Sequence, residues 1–171
     1  MGQTIISAGL IVIVTIAVIN ANRLVINSQT TKLEGIARLQ AADLAMELIS
    51  EARLRKFDEN ADTVSYQAVT AFTYYSSLGR DMGETSVPIP DTLPYRSKVY
   101  YDDFDDFNGY KRTASTTTVS GYALTCKVFY STQSSPDAST TSKQYLKTMQ
   151  VQVSHPLYLT RAITISVTKT Y

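Results

Sequence analysis

The chain is short of several residues that carry chemistry elsewhere. Among its 171 residues there is one cysteine, one histidine and no tryptophan. A lone Cys126 cannot form an intrachain disulfide, and it alternates with strand residues as a small buried hydrophobe would. Cys126 and His155 together offer too few ligands for a zinc site, and no cysteine–histidine pair for nucleophilic catalysis. Charge of one sign is also missing. Sixteen Lys plus Arg stand against fifteen Asp plus Glu, so the net charge of +1 gives no electrostatic case for a nucleic-acid partner. There is no glycine-rich phosphate loop and no nucleophile beside a base, so the sequence implies no cofactor and points away from an enzyme. The five prolines begin only at Pro88, and nothing earlier breaks a helix in that way.

The most telling absence is positional. No charged side chain precedes Arg23, and the run from Ile5 to Ile19 is almost wholly Ile, Val, Ala and Leu. Exposed in water such a run would drive association, so it belongs in lipid or against copies of itself. Its length falls short of the roughly 20 residues that cross hydrocarbon. Extension to Ile26 reaches that length and takes in Asn20, Asn22 and Arg23, which suit the headgroup level, Arg23 by snorkelling. A secretory signal peptide fits poorly, because residues 1–4 carry no basic side chain and Ile19-Asn20-Ala21 is a poor cleavage site.

The apolar run passes without proline into an amphipathic one. Leu33, Ile36, Ala37, Ala41, Leu44, Ala45, Leu48 and Ala52 form an i, i+3, i+4 stripe, with a thinner line through Leu39, Met46 and Ile49. Residues 4 to about 57 are therefore expected as one helix, about 80 Å long at 1.5 Å per residue. Two stripes predict two partners: a head against Leu33, Ile36, Leu44 and Leu48, and a neighbouring helix. The intervening charges suit a solvated face, where Glu34 with Arg38 and Glu51 with Arg55 have the favourable i, i+4 order.

The expected class is α+β, with a stalk at 1–57, a connecting region at 58–96 and an antiparallel β-sheet head at 97–171. Residues 64–78 leave helix and strand both open, and 79–94, with two glycines and three prolines, predict a loop. Strand signals fall at 98–101, 122–130, 146–153 and 162–168. The low-complexity stretch 131–142 predicts a mobile connection on the outside. One segment invites a ligand: Asp102, Asp103, Asp105 and Asp106 lie within a few residues of Asn108-Gly109. Their spacing does not match an EF-hand loop, so a turn with Asx-type caps is expected and a calcium ion is the alternative.

Gly2-Gln3-Thr4-Ile5-Ile6-Ser7, followed by the apolar run and an unbroken amphipathic helix, resembles the start of type IV pilins and pseudopilins. Gly2 matches the glycine before the family's cleavage point, and Thr4 and Ile6 match the second and fourth mature positions. Gln3 stands where the family prefers phenylalanine, Ser7 where it has a glutamate, and the proline common some way along the helix is missing. The acidic Asp-Asp-aromatic-Asn-Gly stretch resembles one in the heads of some minor pilins and pseudopilins. The resemblance implies processing between Gly2 and Gln3, and a filament core built from Ile5, Ile6, Ser7, Leu10, Ile11, Val14, Val18 and Leu24. It further implies identical subunits as partners, the inner membrane before assembly, and a prepilin peptidase, an assembly ATPase and a platform protein. Cyclisation of an exposed Gln3 would abolish the amine's charge and remove the need for a partner glutamate. The alternatives are a minor pilin or secretion pseudopilin, and a monomeric membrane-anchored binding domain.

Overall fold

The computed structural model describes residues 2–61 and 68–171, and for Thr4, Ile5 and Ser7 the backbone alone. One helix, α1 (Gly2–Arg53), takes up the first 52 of these residues. Three of its hydroxyls are returned to its own backbone: Thr15 donates to the Ile11 carbonyl at 2.7 Å, Thr30 to Ile26 and Thr31 to Asn27. The helix stops a few residues before the expected position 57. The Lys56 amide leaves the helical ladder and donates to the Asp102 carbonyl at 3.1 Å, while the Lys169 ammonium donates to the carbonyls of Arg53, Arg55 and Lys56. Those are the carbonyls a helix end leaves without partners, and a cation there also complements the dipole.

Two compact units divide at residue 37: Met1–Ala37 and Arg38–Tyr171. The second joins the last turns of α1 to a five-stranded antiparallel sheet made of β1 (Lys111–Ser115), β2 (Ser120–Thr132), β3 (Ser135–Thr140), β4 (Leu146–Ser154) and β5 (Ile163–Thr170). The order is β1-β2-β4-β5, with β3 paired to the far end of β2. Register places Leu124 opposite Val153, Cys126 opposite Val151 and Val128 opposite Met149. Alternation then puts Tyr122, Leu124, Cys126, Val128 and Tyr130 on one buried face, with Lys147, Met149, Val151 and Val153 beside them. The C-terminal part of α1 packs on this sheet through Ala41, Ala45, Leu48, Ile49 and Ala52. Three of these five are alanines, which let helix and sheet approach closely. Gln40 fixes the register, its Oε1 accepting from the Thr116 and Tyr122 hydroxyls at 2.9 and 3.1 Å.

Several elements differ from expectation. Residues 98–101 are not a strand: Ser97–Tyr100 forms a short helix, α2. The Asp91 carboxylate accepts from the Arg96 and Ser97 amides that open that turn, and this local capping outweighs the β preference of Val99-Tyr100-Tyr101. Strand β3 lies inside the stretch expected as a mobile connection; none of its side chains is buried, so it has no apolar alternation to reveal it. Strand β1 carries no apolar alternation in its sequence, because its inward positions are Arg112 and Ala114. Among the described residues of 58–96 there are only three-residue 3-10 turns, neither helix nor strand, and the start of the ambiguous segment 64–78 lies outside the described residues. Ile49 faces the core, which reduces the second line on α1 to the exposed Leu39 and Met46.

Candidate functional site

Two regions carry unusual side chains for their surroundings. The first is the apolar half of α1. Ile6, Leu10, Ile11, Val14, Val18 and Leu24 are each at least half exposed, as are Val12, Ile13, Ile16, Val25 and Ile26. These residues point in every direction around the helix, so no single strip would hide them. The helix is long and apolar enough to cross a membrane. Of the other expected core positions, Ile5 and Ser7 have no described side-chain environment; of the two positions expected for processing, Gly2 has none either, while Gln3 is exposed. Of the positions expected to face a head, Leu48 is fully buried, and Leu33, Ile36 and Leu44 are half-buried.

The second region is the acidic segment. It forms a 3-10 turn, Asp105–Phe107, between α2 and β1. Asp103 Oδ1 accepts from the Asp105 and Asp106 amides at 2.7 and 3.1 Å, and Asp106 Oδ2 accepts from the Asp102 and Asp103 amides. Gly109, at φ 76°, turns the chain into β1. These are the side-chain-to-backbone bonds of an Asx-type turn. The four aspartates do not converge on one point as a cation cage would. The carboxylates that approach one another are Glu84, Asp102 and Asp106, with oxygens within 4.8 Å, and Glu84 comes from a loop whose sequence gave no hint of it.

Asp105 turns inward instead. It meets the ammonium of Lys147, which also donates to Asp58 Oδ2 and to the Phe57 carbonyl, each at 2.8 Å. Lys147, Asp58 and Asp105 are all buried. Asp58 arrives from just beyond the end of α1, and Lys147 occupies an inward position of β4, next in line with Met149. Burial works to raise the Asp58 carboxyl, but Lys147 and the Thr73 and Asn60 amides outweigh it and hold that group below the ordinary carboxylate value. The other carboxyls move the opposite way. Burial, together with the neighbouring Asp105 charge, pushes Asp103 up to about 8. Burial, Asp103 and a hydrogen bond with Glu84 push Asp106 up to about 9.

A pH dependence follows. Between the ordinary carboxylate value near 3.8 and these raised values, the folded chain holds protons that the unfolded chain has lost. Stability from Asp103 and Asp106 is therefore present in full at acid pH and is lost as pH rises toward 8 and 9. Thermal unfolding midpoints should fall between pH 5 and 9, and Asp106→Asn should flatten that slope. A wild-type midpoint that rises steadily over the same range would contradict this.

A second buried network ties α1 to β1. Arg112 donates to Glu51 Oε2 at 2.7 Å, to the Tyr110 hydroxyl at 3.0 Å and to Ser97 Oγ at 3.2 Å, and its guanidinium lies 3.8 Å from the centre of the Tyr95 ring. The Tyr110 hydroxyl in turn donates to Asp91 Oδ2 at 2.8 Å. Burial opposes the Arg112 charge, but Glu51 outweighs it and holds the guanidinium above its ordinary value. His155 is committed to backbone: Nδ1 accepts from the Leu157 and Tyr158 amides, which leaves Nε2–H to donate to the Ser120 carbonyl at 3.0 Å. No family model, curated protein or solved structure matches this chain.

Proposed function

We propose that this chain is the structural subunit of an extracellular helical filament of type IV pilus-like design. The observation that supports the reading most is the apolar half of α1, exposed on all sides and continuous with a helix that packs on a sheet. In this reading the apolar segment first lies in the inner membrane. It then leaves lipid for a bundle of identical helices while the heads pack outside. Leaving lipid for other apolar helices gains little by itself, so close packing and head contacts hold the bundle. A contact between copies that does not close on itself extends into a fibre. A prepilin peptidase acting at Gly2-Gln3, an assembly ATPase and a platform membrane protein complete the expected machinery.

The test is electron microscopy of material sheared from cells that express the chain, with mass spectrometry of the sheared protein and its N-terminus. Filaments composed mainly of this chain are the expected result. Filaments in which it is a trace component would assign it to the minor pilins or pseudopilins. Recovery of detergent-solubilised monomers with no filaments would overturn the reading in favour of an anchored head domain.

A further inference from the structure

Lys147 is the one lysine placed wholly inside the head, and it faces more carboxyl groups than one ammonium can neutralise. Its Nζ touches Asp58 and Asp105 directly, and Asp105 is hydrogen-bonded to the Asp103 carboxyl. All four groups are almost fully buried. The walls are aromatic, with Nζ 4.6 Å from the centre of the Phe57 ring and 5.4 Å from that of Tyr130. An ion pair in such a place costs desolvation of both charges, and condensation would remove both charges at once.

We propose that the head forms an intramolecular amide bond between Lys147 Nζ and Asp105 Cγ. The surrounding groups suit the separate roles this needs. The Asp58 carboxylate accepts hydrogen bonds from the Thr73 amide and hydroxyl, the Asn60 amide and the Tyr130 hydroxyl, which fix it in contact with Lys147 Nζ, the position from which it takes a proton as the C–N bond forms. Asp105 has no such set of amide donors, and its carboxyl is held above the ordinary carboxylate value by burial against the pull of Lys147. Asp105 Cγ is the electrophile because its carboxylate touches Nζ and is hydrogen-bonded to the Asp103 carboxyl, which is placed to polarise it. The ammonium gives a proton to Asp58, and the freed lone pair attacks Asp105 Cγ as Asp103 protonates the carboxyl oxygen. The C–N bond forms and the C–O bond breaks. Asp58 relays the second nitrogen proton, Asp103 recovers its own, and one water leaves with two protons from Lys147 and one oxygen from Asp105. Holding both reactants in a dry site substitutes for the activation that amide formation requires in water. The bond would tie the acidic turn to β4 inside the same chain.

The test is the intact mass of the full chain under denaturing conditions, followed by tryptic mapping. The expected mass is lower by one water than the mass calculated for the chain with the N-terminus that the same mapping finds. The expected peptide is branched, joining 99–111 to 144–161 with no cleavage at Lys147. Lys147→Arg and Asp105→Ala should restore the full calculated mass, and Asp58→Asn should slow the change. A wild-type mass equal to that calculated for its own N-terminus, with no water missing, overturns the proposal, whether or not the variants fold. So does a water loss without a branch, or a branch that joins 57–80 to 144–161 and places the bond at Asp58.

Discussion

Arg112→Ala is expected to destabilise the head by about 3–5 kcal/mol, the range found when one partner of a buried ion pair is removed. The loss is large because Arg112 is 2% exposed and serves groups on three elements: Glu51 on α1, Ser97 on α2 and Tyr110 at the edge of β1. Truncation leaves the Glu51 carboxylate, itself 8% exposed, facing a void without a cation. A nearby pair sets the contrast. Lys98 meets Glu47 at 3.1 Å, but both side chains are about half exposed, so Lys98→Ala should cost less than about 1 kcal/mol. Arg112→Met combined with Glu51→Leu should recover much of the loss, since a packed apolar pair can replace a buried ionic one. Denaturant unfolding of the full chain in detergent would measure all three. Near-UV circular dichroism of its twelve tyrosines reports on the head without interference from tryptophan. If Arg112→Ala proved as mild as Lys98→Ala, the network would not be what fastens α1 to β1.

The sequence revealed elements in proportion to how much apolar surface each one buries. Helix α1 was legible because its pattern needs only itself: a long run without charge, then alanines and leucines at helical spacing, with no proline. Strand β2 was equally plain, since five inward positions in a row are apolar or aromatic. The sheet contributes less signal at its margins. On β1 the inward residue is Arg112, buried only because Glu51 arrives from sixty-one positions away, and no local window holds that information. On β3 nothing is buried, and pairing with β2 alone defines it. Residues 98–101 show the opposite failure, a good strand composition overruled by the carboxylate of Asp91.

The acidic segment divides in the same way. Its Asx-type bonds connect residues two to four apart and could be anticipated from Asp103 and Asp106 alone. Glu84 and Lys147, eighteen and forty-two residues from their partners in the segment, and Asp58, eighty-nine from Lys147, could not. Lys147 is the clearest case. It sits at an inward position of a strand whose other inward residues are Met149, Val151 and Val153, and alternation alone would have placed a lysine there in the core. A charged residue at an apolar register position was the available signal, and it pointed to buried carboxylates elsewhere in the chain.

The other large effect concerns the apolar half of α1. Val14→Lys places an ammonium near the middle of the uncharged run, at a side chain 52% exposed in the single chain. At the centre of a membrane helix a lysine costs about 2.5–3.5 kcal/mol on insertion scales, which corresponds to roughly a hundredfold loss of membrane partitioning. In the proposed filament the penalty would persist after export, because a bundle of Ile, Val and Leu side chains offers no carboxylate: the first acidic residue on α1 is Glu34. Val14→Leu keeps the apolar surface and should behave as wild type. Filaments recovered by shearing should therefore be lost for Val14→Lys and retained for Val14→Leu. The unit Arg38–Tyr171 contains neither change, so the near-UV spectrum of both variants should match wild type and exclude misfolding of the head. If Val14→Lys filaments appeared in wild-type amounts, this segment could not be packed among copies of itself, because a core that admits one ammonium per subunit would have to be wet.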